Sequence, residues 1–257
     1  PCTIRYRGCE LACETLYPFK GEIVCTVKAA KPVRFAIRPK KPVWCERMTV
    51  RVNGEEGAGT DREWKDGDTL SITLAMPPRV ARFDDHSAVQ PLVVRKGPLV
   101  FSLPIREKWE NVGDGVKSAS NGHAITKLPK GWAWWKVHPV ADEKSTPIYE
   151  WQGYRRELMT WNVALDERRV AIEEVANPKA GYVWEEPPVK LRLTAWKAPF
   201  AFPPYSNKAT EYYAPEQTVT RPVPVTLVPF GCTALRITYF PRCDSTRLRK
   251  DLSFELP

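Results

Sequence analysis

The chain has 257 residues, long enough for one large or two ordinary domains, and 43% of them are hydrophobic, which supports a real core and excludes wholesale disorder. Twenty-five prolines against 14 glycines disfavour long helices and central strands and favour short strands joined by stiff loops. The formal charge of +9 is compatible with nucleic acid, anionic lipid or acidic polysaccharide. The basic stretches Arg34–Lys41 and Arg242–Lys250 come with no nucleic-acid-binding motif, so the charge reads as solvated Lys and Arg. No apolar run approaches the roughly 18 residues a membrane helix needs. The reading is therefore no nucleic acid and no membrane.

Taken in order, residues 1 to 105 are a succession of strands. Thr3–Arg7 alternates, and Tyr17-Pro18-Phe19 opens a turn toward Ile23, Cys25 and Val27. Val33, Phe35 and Ile37 alternate, as do Met48, Val50 and Val52. Asn53-Gly54 then supplies the preferred pair for a tight type I′ hairpin. Trp64-Lys65-Asp66-Gly67-Asp68 is a second turn, leading into Leu70, Ile72, Leu74 and Met76 at period two. Two apolar runs, Leu92–Val94 and Leu99–Phe101, flank Arg95-Lys96-Gly97-Pro98.

Residues 106 to 147 change character. They are polar and irregular, then rich in tryptophan at Trp132, Trp134 and Trp135, and read as a linker or insertion between two β domains. Residues 148 to 257 return to strands: Tyr149–Trp151, Met159–Leu165, the alternating Val189, Leu191, Leu193 and Ala195, and Val223–Val228. Arg168–Val175 fits a short strand or one helical turn. The last apolar phrase, Leu227–Pro241, reads as a strand with Leu235, Ile237 and Tyr239 on one face. The expected fold is all-β: two antiparallel β-sandwich, jelly-roll-like domains in tandem, at 1–105 and 148–257.

Seven cysteines (Cys2, Cys9, Cys13, Cys25, Cys45, Cys232 and Cys243) match no disulfide framework or zinc ribbon. They suggest reduced thiols in a reducing, cytoplasmic setting, with Cys25 on an inward face as a small hydrophobe. The chain starts at Pro1, which suggests a processed product, an excised fragment or part of something longer.

Several phrases, in order, resemble the β-rich C-terminal half of the β-L-arabinofuranosidase-like enzymes of glycoside hydrolase family 127. Tyr17-Pro18-Phe19 resembles the family's Y-P-F/W turn, Val50–Gly54 its V-x-V-N-G hairpin, and Trp64–Asp68 its W-x-x-G-D turn. Lys96-Gly97-Pro98-Leu99-Val100 is similar to its R-G-P-L-V strand, with Lys96 replacing arginine. Trp161–Leu165 resembles a W-N-Y-A-L strand, and Pro187–Leu191 and Pro229–Pro241 complete the series. The stretch Ile37–Trp44 differs from the family's R-I-P-x-W phrase by a small insertion.

The resemblance implies chemistry in an N-terminal (α/α)6 barrel, with a glutamate acid/base and a zinc-bound cysteine nucleophile in a C-C-P-P-N-like motif. This sequence has no adjacent cysteine pair and no such motif. No catalytic residue, metal ligand or cofactor is therefore assigned. The missing barrel, or a partner subunit, is the expected protein partner.

Among the residues themselves, a glycosidase pair would need two carboxylates about 5–10 Å apart. Asp84, Asp85, Glu110, Asp142, Glu185 and Glu186 lie on loops, where acids are ordinarily just solvated. His86, His123 and His138 form no local metal motif, and no G-x-S-x-G elbow occurs. Sugar rings stack on aromatic planes, so Trp132, Trp134 and Trp135 are the candidate carbohydrate-binding residues, against the alternative that they pack between domains. Three readings stay open: a non-catalytic accessory region of a glycoside hydrolase that also binds plant-type polysaccharide or oligosaccharide, a free-standing carbohydrate-binding protein, and a glycan-active hydrolase with a site not recognisable from sequence.

Overall fold

The computed structural model describes residues 1–83, 90–105, 107–111, 135–139, 148–151, 154–157, 163–177, 181–197, 217–219, 221–233 and 236–248. Among them there is no α-helix, and one 3-10 turn at Phe230–Cys232 interrupts the strands. The expected all-β class holds.

The first body of the chain runs through β1 (Cys2–Tyr6), β2 (Cys9–Thr15), β3 (Glu22–Ala29), β4 (Val33–Ala36), β5 (Met48–Val52), β6 (Glu55–Glu56), β7 (Asp61–Trp64) and β8 (Thr69–Leu74). Six of these form an antiparallel sheet in the order β1-β2-β3-β8-β5-β6, and β4 pairs with β7 as a small second layer. Side chains at period two close the space between the layers. Leu11, Cys13, Cys25, Val27, Val52 and Leu70 from the large sheet meet Phe35 and Trp64 from the small one. Trp64 is fully buried, and its indole N–H donates to the Phe35 carbonyl at 3.1 Å, so the ring fills the core without leaving a polar atom unpaired.

The second body contains β9 (Pro78–Arg82), β10 (Leu92–Lys96), β11 (Leu99–Pro104), β12 (Glu107–Asn111), β13 (Trp135–Pro139), β14 (Ile148–Trp151), β15 (Tyr154–Glu157), β16 (Val163–Ala164), β17 (Ile172–Ala176), β18 (Val189–Lys197), β19 (Gln217–Val219), β20 (Pro222–Pro229), β21 (Arg236–Ile237) and β22 (Cys243–Leu248). Its main sheet runs β16-β18-β20-β11-β10-β9, with β17 pairing β18 and β21 pairing β11. β19 and β22 form a parallel pair. The expected alternation in β18 holds: Val189, Leu191, Leu193 and Ala195 are buried, whereas Arg192 and Thr194 are exposed. Arg168–Val175 resolves into a turn followed by β17. The hairpins β12–β13 and β14–β15 are separate two-stranded sheets.

The expected domain boundary at residue 105 falls just after β11. Sheet membership instead changes between Leu74 and Pro78, and the second main sheet draws strands from both sides of residues 106–147. Strands β10 and β11 carry the reason. Leu92, Val94, Phe101 and Leu103 share one core with Val163, Leu191, Val225 and Leu227. That apolar face finds its complement in the later strands, not in the earlier ones.

Two expectations need correction. The closing phrase is not one strand. Pro222–Pro229 is the core strand, the 3-10 turn follows, and β21 is two residues long. Phe240 is fully buried and exchanges backbone hydrogen bonds with Leu92, whereas Tyr239 is 39% exposed. Ile237 still packs on the core, but β21 ends there, and after the non-strand residues Thr238 and Tyr239 it is Phe240 that takes the inward position expected for Tyr239. Nor are all the thiols free: Cys13 and Cys25 stand opposite each other on β2 and β3 and are joined by a disulfide. Cys2, Cys9, Cys45, Cys232 and Cys243 are free.

Candidate functional site

The recognisable phrases converge on four packed junctions. In the first, Asn53 and Gly54 take positive φ (52° and 87°), as a type I′ turn demands. The Asn53 side chain donates to Asp68 at 2.9 Å and accepts from the Thr69 N–H at 2.8 Å. Asp68 also accepts from the Lys65 N–H, and these hydrogen bonds hold its carboxyl below the usual value. The V-N-G hairpin and the W-K-D-G-D turn thus form a single staple between neighbouring loops.

The second junction ties the two bodies together. After the cis Tyr17-Pro18 bond, Phe19 leaves the first body and is buried in the core of the second. Its ring meets Trp184 edge-on, with centroids 4.9 Å apart. A Cβ on Gly231 would lie 2.9 Å from the same indole, so the Pro-Phe-Gly turn needs glycine to let Trp184 in. Two phrases over 200 positions apart in sequence are therefore clamped on one tryptophan. Arg236 completes the turn, stacking 3.6 Å from the Phe230 ring centroid and donating to the Thr233 carbonyl.

The third junction lies at the change of sheet. Lys96 is buried; its Nζ donates to the Met76 carbonyl at 3.0 Å and lies 3.1 Å from Glu174 Oε2. Gly97, at φ +55°, approaches the Met76 side chain so closely that a Cβ would collide with it. The Lys-Gly pair thereby anchors the end of the first body's last strand segment to the β10–β11 hairpin.

The fourth follows Val163-Ala164-Leu165. Asp166 is buried, and its carboxylate accepts from the Ser245 hydroxyl at 2.6 Å, the Ser245 N–H at 3.0 Å and the Arg168 N–H at 3.0 Å. Burial alone would push its carboxyl up. The hydrogen bonds from Ser245 and Arg168 outweigh that and hold it below the usual value. Next to it, Glu167 takes a two-pronged contact from Arg82 at 3.0 and 2.5 Å, which depresses the glutamate further. The Leu165 N–H donates to the Pro241 carbonyl, and the Leu165 carbonyl accepts from the Cys243 N–H, across the same seam. These residues latch the final strand to the main sheet.

The buried acids are consumed as hydrogen-bond acceptors. Burial pushes the Cys232 thiol up to about 11. Burial, with the Asp166 and Asp244 charges behind it, pushes Cys243 to about 12. Both stay protonated at neutral pH, the opposite of a nucleophilic or metal-binding cysteine. Among the described residues, no group of three His, Cys, Asp or Glu could hold a metal ion. An open depression of about 520 Å³ lies on the first sheet, lined by Glu14, Leu16, Lys20, Glu22 and Val24. Its acids are exposed and lack the apolar enclosure a general acid requires.

Of the candidates read from sequence, Glu186 accepts from the Asn177 side chain at 3.2 Å, beside Glu185 in the turn that carries Trp184. Trp132 and Trp134 lie outside the described residues, as do Asp84, Asp85, His86, His123 and Asp142. Trp135 opens β13 opposite Asn111, and Glu110 and His138 lie on the same hairpin, which leaves the aromatic-platform idea as an expectation. Trp184 and Asp166 escaped the sequence reading, which noted Lys96 only as the replacement of an arginine. Asp166 had one usable signal, an acid directly after an apolar strand and before a polar turn.

The architecture defines a β-sandwich protein built of two bodies clamped by shared motifs. Residues 2–76 match the family model for the middle domain of β-L-arabinofuranosidase GH127, and this range ends where the sheets change. Among solved structures, a GH127 β-L-arabinofuranosidase from Geobacillus stearothermophilus T6 matches with TM-score 0.53 and 16% identity, over 94% of this chain and 32% of that one. A GH127 β-arabinofuranosidase matches with TM-score 0.52 and 14% identity, over 94% and 33%. A protein described as a glycoside hydrolase matches with TM-score 0.50 and 18% identity, over 94% and 34%. No curated protein sequence matches. The family match thus rests on residues 2–76, the rest of the likeness to these structures is one of fold, and the chain spans about a third of the length of the solved structures it resembles.

Proposed function

We propose that this chain is a non-catalytic β-sandwich region of a glycoside hydrolase, whose task is to buttress a catalytic barrel on the same polypeptide or on a partner subunit. One observation carries the reading: every family-like phrase whose side chains are described ends in a packing junction or a turn staple, and none delivers a free acid, base or nucleophile into a cleft. The proposal extends to glycan contact through Trp132, Trp134 and Trp135, since aromatic faces stack on sugar rings.

The test pairs two assays on the purified chain. Hydrolysis of arabinan, xylan and cellulose is expected to stay at the buffer rate, and clear turnover contradicts the scaffold reading. Retention on the same polysaccharides in affinity gels is expected to weaken in Trp132→Ala and Trp134→Ala. Retention that neither substitution changes removes the aromatic platform and leaves the buttress alone.

A further inference from the structure

Three cysteines lie side by side across three neighbouring strands. The β1–β2 register sets Cys2 directly opposite Cys13, and the β2–β3 register sets Cys13 directly opposite Cys25. Residues directly opposite in antiparallel pairs share a face, so all three project to the same side of the sheet. The strand order β1-β2-β3 puts Cys13 in the middle. The Cα atoms of Cys13 and Cys25 lie 4.0 Å apart, and a directly opposed antiparallel pair such as Cys2 and Cys13 is ordinarily about 4.5–5.5 Å apart, inside the range a disulfide spans. Cys13 thus has a suitable partner on either side, of which one, Cys25, holds the bond, while Cys2 is a free, exposed thiol.

We propose that this row is a thiol–disulfide exchange site, in which the bond moves between Cys13–Cys25 and Cys2–Cys13. The Cys2 thiolate attacks the Cys13 sulfur, and a Cys2–Cys13 bond forms as the Cys13–Cys25 bond breaks. The electron pair leaves with the Cys25 sulfur, which takes up a proton from solvent in place of the one Cys2 released. Nothing is oxidised or reduced overall, so no external oxidant is needed. The registers flank Cys13 with Cys2 on one side and Cys25 on the other, the order that displacement at the central sulfur needs. Cys9 is left out, because it stands opposite Tyr6 and Ala29.

The two states staple different parts of the sheet. The Cys13–Cys25 bond joins two strands that the core already holds. The Cys2–Cys13 bond instead pins β1, an edge strand whose five residues are all exposed, Ile4 at 54% and Tyr6 at 48% among them. Such an edge is where local opening starts. The exchange is a switch that loosens or fixes this edge.

The test equilibrates the full chain in glutathione buffers of graded ratio, quenches by alkylation and maps disulfides in non-reduced peptides. Both Cys13–Cys25 and Cys2–Cys13 links are expected, with Cys2–Cys25 and Cys9 links as minor species at most. Cys25→Ala and Cys25→Ser are expected to form Cys2–Cys13 under mild oxidation, and to slow hydrogen exchange of the β1 amides at least roughly tenfold relative to Cys2→Ala. If Cys2 is alkylated completely at every ratio while Cys13–Cys25 persists, the proposal is overturned. Free thiols at Cys2 and Cys13 in both oxidised Cys25 variants, each with native-like circular dichroism, overturn it equally.

Discussion

Phe19→Ala tests the clamp between the two bodies. Phe19 is 2% exposed and sits in a core whose other members come from β10, β11, β16, β18 and β20. Truncating a buried phenylalanine to alanine costs about 3–5 kcal/mol, of which the edge-on ring pair accounts for about 0.5–1.5. Trp184 is only partly buried, so it can relax toward the vacancy, and the cost should fall near the lower end, about 3 kcal/mol. For a chain of this length each kcal/mol lowers Tm by roughly 2–4 °C, which gives a fall of roughly 6–12 °C. Calorimetry should also show the single endotherm broaden or split, because the anchor joins bodies with separate cores. A Tm change below roughly 2 °C with an unsplit endotherm refutes the argument that Phe19 couples the bodies.

Other outcomes follow from the same junctions. Gly231→Ala places a methyl against the Trp184 ring and should destabilise by about 1–3 kcal/mol in urea unfolding, with no effect if the turn simply shifts away. Asp166→Ala strips the Ser245 hydroxyl and N–H of their acceptor in a buried seam and should cost about 3 kcal/mol by the same measurement. Asp166 and Glu167 titrate below their ordinary values of 3.8 and 4.5 in the folded chain. Their stabilisation is thus complete above those values and lost as pH falls through the lower folded ones, so acid unfolding below about pH 4 should be shallower in Asp166→Ala than in the parent. Lys96→Met removes the ammonium that bonds the Met76 carbonyl. It should lower stability by about 1–3 kcal/mol, and Lys96→Arg should restore most of it.

How much of this was legible beforehand depended on how local the cause was. Period-two alternation identified β18 because β17 and β20 pair with it in register along its length, with β16 beside its end. Asn53-Gly54 announced its own turn through backbone preference alone. The boundary between the bodies was not legible, because β10 reads as a strand equally well in either sheet. Only the distant partners Leu191 and Leu227 decide that it joins the second. The closing phrase misled because β21 ends at Ile237, so alternation no longer decides which of the adjacent rings, Tyr239 or Phe240, turns inward. The disulfide was invisible in cysteine spacing, since it depends on how β2 aligns with β3. For the candidate site, the phrases marked the junctions correctly. What they could not reveal was the partner at each: Trp184 for Phe19, Ser245 for Asp166, Met76 for Lys96.

The central claim is that this β-sandwich region supports a glycosidase without performing its chemistry. The most direct measurement is release of arabinose by the purified chain from a β-L-arabinofuranosyl oligosaccharide, followed by chromatography over many hours at several concentrations of the chain. The account predicts release indistinguishable from buffer at every concentration. Release that rises in proportion to the chain and saturates with substrate would contradict it.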